Sequence, residues 1–343
     1  MTETTGRPLV TFAVIAYNQE RYIREAIEGA FAQTYEPLEI ILSDDCSPDR
    51  TYEIMQEMAA AYDGPHRVVL NRNEPNLGMV PHIDRVMEIA TGGYVLINAG
   101  DDVSLPKRAE KHAKVWIESS RSIKLIHSIA YRVTKDRVKF GMRRPNPRII
   151  ESPTPLTLVK YRTCALGATV GLDKEIFDKF GPLGGAKTED RIMAFRATLL
   201  GEIHFIEEPL VEYRMGGVSE GNENMTGLSL LYGIGHTGRY WAISNDEHIL
   251  EAYSDFEYPD KSEVEDICRR RLPVLKFATE LAQTSHISRF LMAPRALKIS
   301  MASKNLAALV YWVSYTFDFL YIPYVNAKNN IKIQLKRFIR AYT

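Results

Sequence analysis

The sequence predicts an α/β protein: a mainly parallel sheet with helices on both faces. Three observations carry that expectation. From residue 9 to about residue 100, short β-rich runs alternate with segments of helical periodicity, the pattern of βαβ units. The first run, Leu9 to Ala16, is almost continuously apolar, as a strand covered on both faces must be. The chain has 343 residues, 45% hydrophobic and 25% charged, enough for a substantial core and for roughly two folding units.

The elements follow in order. Leu9–Ala16 reads as a buried strand. Ile23, Ala26, Ile27, Ala30 and Phe31 recur at helical spacing, so Glu20–Gln33 is an amphipathic helix. Leu38–Leu42 is a second strand ending in Ser43-Asp44-Asp45, and Arg50–Tyr62 a second helix with Asp49 as its N-cap. Val68–Leu70, Val80–Ala90 and Tyr94–Asn98 supply a third strand, a third helix and a fourth strand that runs into Gly100-Asp101-Asp102. Beyond about residue 123 the pattern is less regular. Ile123–Tyr131 and Ala168–Leu172 read as strands, Asp190–Leu200 as a helix, and Ile203–Ile206 and Val211–Tyr213 as two short strands around Pro209. Residues 215–228 are rich in Gly, Ser and Asn and read as a loop. After them the pattern is helical to the end.

Composition excludes several classes. Forty-three basic residues balance forty-three acidic ones, which argues against a chain that grips nucleic acid over its surface. Cys46, Cys164 and Cys268 are too far apart for a zinc site and too few for a disulfide framework. The first residues, Met1 to Arg7, contain no apolar signal-peptide core. Both observations point to a reducing compartment, the cytoplasm.

In a parallel sheet, ligands bind beyond the carboxyl ends of the strands. Three strands here end in polar clusters: Tyr17-Asn18, Asp44-Asp45 and Asp101-Asp102. Adjacent carboxylates at a strand end are costly unless a cation neutralises them, and oxygen ligands select Mg²⁺ or Mn²⁺. Any one such pair is more often a solvated turn or a helix cap, and Asp190 could equally cap its own helix. Order and spacing together decide otherwise.

Val14-Ile15-Ala16-Tyr17-Asn18 resembles the opening strand of the family 2 glycosyltransferases. Gln33 to Thr51, with Asp44-Asp45-Cys46-Ser47-Pro48-Asp49-Arg50-Thr51, resembles that family's helix-to-strand passage. Asn73 to Gly78 resembles the Asn-x-Gly turn, and Ala90 to Asp102 the metal-binding segment. Thr188-Glu189-Asp190 resembles the Glu-Asp motif, and Tyr213 to Ser219 the closing motif. The resemblance covers about residues 8–220. It implies a GT-A fold: a Rossmann-like nucleotide-sugar-binding half (about 8–105), an acceptor half (106–220) and a helical C-terminal extension (221–343).

The resemblance also implies roles. Ala16, Tyr17 and Asn18 would line the nucleotide pocket, with Glu20 close by. Asp45 would accept a hydrogen bond from the base edge, supported by Asp44, and Asn76 and Gly78 would lie beside the nucleoside. Asp101 would reach the ribose or sugar, and Asp102 would hold the metal bridging the diphosphate. Asp190 would be the catalytic base, with Glu189 beside it on the acceptor side, and Arg214 would face the phosphates. The implied activity is inverting, metal-dependent transfer from a nucleotide-sugar donor, UDP being the common nucleotide, to a saccharide or lipid-linked acceptor in cell-surface polysaccharide or glycoconjugate synthesis. The chain departs from the family pattern at three points: a strict Asp-x-Asp is missing, since Ala99 and Gly100 precede Asp101; Cys46 replaces a common Gly; and Met215 follows Tyr213-Arg214 in place of a frequent His. The competing readings are a sugar-nucleotidyltransferase, which would want a glycine-rich loop after the first strand, and a non-catalytic nucleotide-sugar-binding protein.

The neutral charge sum hides a polarity. The last 57 residues carry +8 and the remainder −8. Leu306–Val325 is largely apolar with seven aromatics, and Ile331, Leu335, Phe338 and Ile339 share one helical face beside Lys332, Lys336, Arg337 and Arg340. That pattern suits a helix lying on an anionic membrane surface through 304–343, which would make the protein peripheral at the cytoplasmic face. The alternative is a helical subdomain or an interface between copies of the chain.

Overall fold

A computed structural model of the protein describes residues 6–184, 188–216, 235–283 and 291–304, together with residues 288 and 308. The chain falls into two compact units. One is Met1–Gly221 with Glu257–Lys261, the other Asn222–Phe256 with Ser262–Thr343.

The first unit opens with β1 (Val10–Ala16), α1 (Ile23–Phe31), β2 (Leu38–Asp44), α2 (Thr51–Ala61), β3 (Arg67–Arg72), α3 (Met79–Ile89) and β4 (Tyr94–Ala99). Every residue of β1 and β2 is buried, the burial expected of central strands covered on both faces. Helix α1 buries Ile23, Ala26, Ile27 and Ala30, the stripe that its spacing defines. These strands pair in parallel in the order β3-β2-β1-β4. Register then fixes the site: Ala16 lies opposite Asp44 and Ile15 opposite Ala99. Tyr17-Asn18, Asp45 and Gly100–Asp102 therefore leave the same sheet edge at the same level. Gly100 is required there, because a Cβ would come 2.7 Å from the Cβ of Ala16.

The second half of the unit holds β5 (Val103–Ser104), α4 (Arg108–Glu118), β6 (Ile123–Val133), β7 (Lys139–Arg143), α5 (Pro147–Glu151), α6 (Pro155–Tyr161), β8 (Gly171–Asp173), α7 (Glu175–Phe180), α8 (Glu189–Leu200) and β9 (Glu202–Arg214). It extends the same sheet in the order β4-β8-β6-β9-β5, with β7 on β6. Here the sheet is mixed: β6 and β9 are parallel, while β8, β5 and β7 join antiparallel. Two expectations are corrected. Ala168–Leu172 is not a single strand, since Gly167–Thr169 forms a 3-10 turn and the strand starts at Gly171. The short runs around Pro209 are one strand, β9, whose pairing with β6 shifts register around Pro209. A proline has no N–H to give the ladder, and an irregularity accommodates it without ending the strand.

The second unit contains α9 (Gly235–Ala252), α10 (Lys261–Gln283) and α11 (Ala293–Ala302). Val274, Phe277, Leu281, Ala296 and Ala308 form its apolar cluster, and Arg271 holds the buried Asp246 through an Nε–carboxylate bond of 2.7 Å. No helix among the described residues is long and apolar enough to cross a membrane. The loop expected at 215–228 beyond Gly216, and nearly all of the 304–343 tail, lie outside the described residues.

Candidate active site

Three groups of side chains gather on unit 1. The first surrounds the end of β2. Asp45 is buried, and its carboxylate accepts hydrogen bonds from Asn73 Nδ2 (2.8 Å), the Leu77 amide (2.9 Å) and the Gly78 amide (2.8 Å). Its backbone amide donates to Ala16, and its carbonyl accepts from Asn76 Nδ2 at 2.7 Å. The structure thus brings Ala16, Asp45, Asn76 and Gly78 together, with Gly78 at φ +83°, a left-handed value that suits glycine. Asp44 is also buried. It accepts from the Ser47 amide (2.9 Å) and hydroxyl, and lies 3.4 Å from the Arg72 guanidinium. Ser47 in turn accepts from the Asn18 amide. Cys46 follows these carboxylates at φ 60°, a left-handed value that suits the glycine common at that place. Tyr17 is exposed beside them. Glu20 does a different job. It accepts from the Arg50 amide while its own amide donates to Asp49, a reciprocal pair that ties α1 to the start of α2.

The second group follows β4. Asp101 and Asp102 are buried. The turn that carries them is held by Asn98, whose Nδ2 donates to the carbonyls of Ala99 and Asp102. Asn98 is held in its turn by the fully buried Arg108, which also bonds Ser104, Ile97 and Val170. Burial lowers the pKa of Arg108 to about 10. Asp102 Oδ1 accepts the Arg214 backbone amide at 2.9 Å. Burial, and then the neighbouring charge of Asp101, push the Asp102 carboxyl well above the usual range. A divalent cation would relieve that cost.

Arg214 departs from its expected orientation. Its side chain is 1% exposed. Nε donates to the Asp101 carbonyl (2.8 Å), Nη1 to the Lys135 carbonyl, and Nη2 to Glu25 (2.8 Å). The guanidinium also lies over the Tyr22 ring at 4.5 Å. It is a strut linking the aspartate turn, the Lys135 turn and α1, rather than a cation presented outward.

The third group opens α8. Glu189 and Asp190 are half-buried in its first turn, where the helix N-terminus favours negative charge. Burial raises Glu189 to about 7, with the Asp190 charge adding to it. Burial also raises Asp190, against a hydrogen bond from Cys164 Sγ (3.3 Å) and the charges of Arg191 and Arg143. Arg143 stacks on Tyr213 at 4.5 Å, so Asp190 lies in the field of a cation held beside the end of β9. Gly167 faces it as well, since a Cβ there would sit 3.5 Å from the Asp190 Cβ.

Among the described residues no three or more His, Cys, Asp or Glu side chains are grouped to hold a metal. Sequence reading missed Asn73, Glu25, Arg108 and Cys164. Asn73 could have been found from its place in the 73–78 turn. The others touch the site only through tertiary contacts.

Comparison with known proteins agrees with this fold. Residues 11–180 match the family described as Glycosyl transferase family 2, so the chain carries a domain of that family. An uncharacterized glycosyltransferase of Methanocaldococcus jannaschii is 34% identical over 133 residues, 38% of this chain and 44% of that one. The chain spans less than half the length of the first curated relatives it matches. Residues 1–349 of S. aureus TarS superpose with a TM-score of 0.56 at 16% identity, covering 91% of each chain, and TarS has also been crystallised with UDP-GlcNAc. The mannosyltransferase PcManGT of Pyrobaculum calidifontis, in complex with GDP-Man and Mn²⁺, gives a TM-score of 0.52 at 17% identity over 92% of this chain and 88% of its own. The fold is GT-A.

Proposed function

We propose that the protein is an inverting glycosyltransferase that moves a sugar from a nucleotide-sugar donor, UDP-linked in the first instance, to a saccharide or lipid-linked acceptor of cell-surface polysaccharide or glycoconjugate synthesis. The observation that carries this reading is the shared register of β1, β2 and β4, which delivers Asn18, Asp44-Asp45 and Asp101-Asp102 to one sheet edge. The TarS and PcManGT ligands support the donor class.

The turn 73–78, locked by Asp45, would seat the nucleoside, with Tyr17 and Asn18 at its rim. Asp102, with Asp101 adjacent, would hold Mg²⁺ or Mn²⁺. The cation would offset the charge that grows on the diphosphate as the glycosidic bond breaks. Asp190 would take the proton of the acceptor hydroxyl as that oxygen attacks the anomeric carbon opposite the leaving diphosphate. One such displacement inverts the centre and needs no covalent intermediate. Burial keeps Asp190 more basic than an ordinary aspartate, which suits the task. Arg214 would act by position, fixing the Asp101 carbonyl and the Asp102 carboxylate.

Thermal-shift screening of nucleotide-sugars with and without Mn²⁺, followed by assay of nucleoside diphosphate release on an acceptor panel, tests the reading. A Mn²⁺-dependent stabilisation by one donor is expected, with diphosphate released only when acceptor is present. Pyrophosphate release from a nucleoside triphosphate would identify a nucleotidyltransferase instead. Binding without turnover on any acceptor would favour a non-catalytic role.

A further inference from the structure

The β6–β7 hairpin carries surface that the site does not use. Strand β7 pairs only with β6 among the described residues, and four of its five residues are exposed. Val138 is 62% exposed, Phe140 51% and Met142 54%. Three large apolar side chains within five residues of a projecting hairpin are costly in water unless something covers them. Their neighbours are cationic: residues 132–148 hold seven Lys and Arg against one acid, Asp136. Arg137 and Lys139 are paired to Glu212, and Arg144 to Glu207. Among the described residues Arg132, Lys135 and Arg148 have no ion-pair partner, and Arg132 lies over the Phe140 ring at 5.0 Å, whereas Arg143 stacks on Tyr213 and acts on Asp190.

We propose that this hairpin docks on an anionic phospholipid surface, inserting Phe140, Met142 and Val138 at the headgroup boundary while the basic residues meet the phosphates. Exposed apolar side chains ringed by Lys and Arg match that boundary chemically, since each layer meets its like. A second copy of the chain is a poorer occupant. Antiparallel pairing of two β7 edges about Gly141 would set Lys139 of each against Arg143 of the other, like charges at ladder distance.

Arg214 links the docking surface to the site, and Arg137 of the same hairpin lies 3.6 Å from Glu25, the carboxylate that Arg214 also holds. The 134–138 turn closes tightly, with the Thr134 amide bonded to the Val138 carbonyl at 3.0 Å. Its Lys135 carbonyl accepts from Arg214, whose Nε holds the Asp101 carbonyl. A hairpin seated on lipid would therefore hold the Asp101–Asp102 turn within one arginine's reach of a lipid-contacting turn, suited to an acceptor carried on lipid. The membrane contact itself does not depend on the transfer reading, and it is separate from any contact made by the 304–343 tail.

The test uses the full chain and vesicles of phosphatidylcholine with phosphatidylglycerol in equal parts, against phosphatidylcholine alone. Binding is expected only to the anionic vesicles, and Phe140→Ser combined with Met142→Ser should weaken it on the order of tenfold with an unchanged circular-dichroism melt. The variant Phe140→Trp should gain fluorescence quenching by lipids brominated on their acyl chains, beyond that of the parent chain. Failure to bind anionic vesicles overturns the proposal. So does binding with no added quenching at position 140, which would assign the contact elsewhere. A dimer in sedimentation velocity that the double variant dissociates would show that another copy covers the hairpin, and would also overturn it. Loss of glycosyl transfer with these vesicle readouts intact would count against the proposed function alone.

Discussion

Asp44–Asp45 ends β2 and Asp101–Asp102 follows β4, with β1 between them, yet the two pairs meet different surroundings. The first pair is answered by the chain itself. Asp45 has three donors, Asp44 has the Ser47 amide and hydroxyl, and Arg72 stands 3.4 Å away. The carboxylates there fasten the 73–78 turn to the sheet. The second pair is buried as well, and Asp102, which accepts the Arg214 backbone amide, has its pKa driven well up by burial and by Asp101. Adjacent aspartates therefore do not by themselves make a metal site. What separates them is the setting of the individual carboxylate: Asp45 locks a turn through three donors, while burial and a neighbouring charge oppose ionisation of Asp102.

The largest effect is expected where neither pair acts. Asp190→Asn should lower turnover by roughly a hundredfold or more while Mn²⁺-dependent donor stabilisation survives; near wild-type turnover would place the base elsewhere. Asp102→Asn then separates the two pairs. It should abolish the Mn²⁺-dependent part of the donor thermal shift, yet leave the metal-free melting temperature unchanged or raised, because a costly buried charge is gone. Asp45→Ala should do the reverse, losing about 2–4 kcal/mol with its three hydrogen bonds and melting roughly 5–10 °C lower with or without metal. If both variants behaved alike in calorimetry, the contrast between the pairs would fail. Arg214→Lys keeps the charge but cannot bridge the Asp101 and Lys135 carbonyls and Glu25 together, so turnover should fall on the order of tenfold in a steady-state assay.

The smallest expected effect concerns pH. Glu189 is raised from 4.5 to about 7, so the folded state holds its proton more tightly than the unfolded chain does. The stability it contributes is present below about pH 4.5 and is lost as pH rises through about 7. Glu189→Gln should flatten the melting temperature across that window. An unchanged slope would show that Glu189 does not titrate there. Asp190 is shifted in the same direction, so turnover should rise with pH as its proton leaves.

Much of this was readable in the residues. The βαβ half follows from apolar runs and helical stripes, and the order of Tyr17-Asn18, Asp44-Asp45, Asp101-Asp102 and Glu189-Asp190 pointed to the family. The strand around Pro209 was not readable, because ladder bonds from β6 to its two sides carry it across the irregularity. The partners of Arg214 were not readable, since nothing local shows that Glu25, 189 residues away in sequence, and two carbonyls would claim its guanidinium.

By itself the sequence determined which segments form the first four strands and three helices, because the burial period acts over a few residues. It also determined which carboxylates reach the sheet edge. Tertiary structure decided what each carboxylate then does. A buried charge takes its character from the donors, cations and dielectric around it, and those come from residues far apart in the chain: Asn73 for Asp45, Arg108 and Arg214 for the Asp101–Asp102 turn, and Cys164 and Arg143 for Asp190.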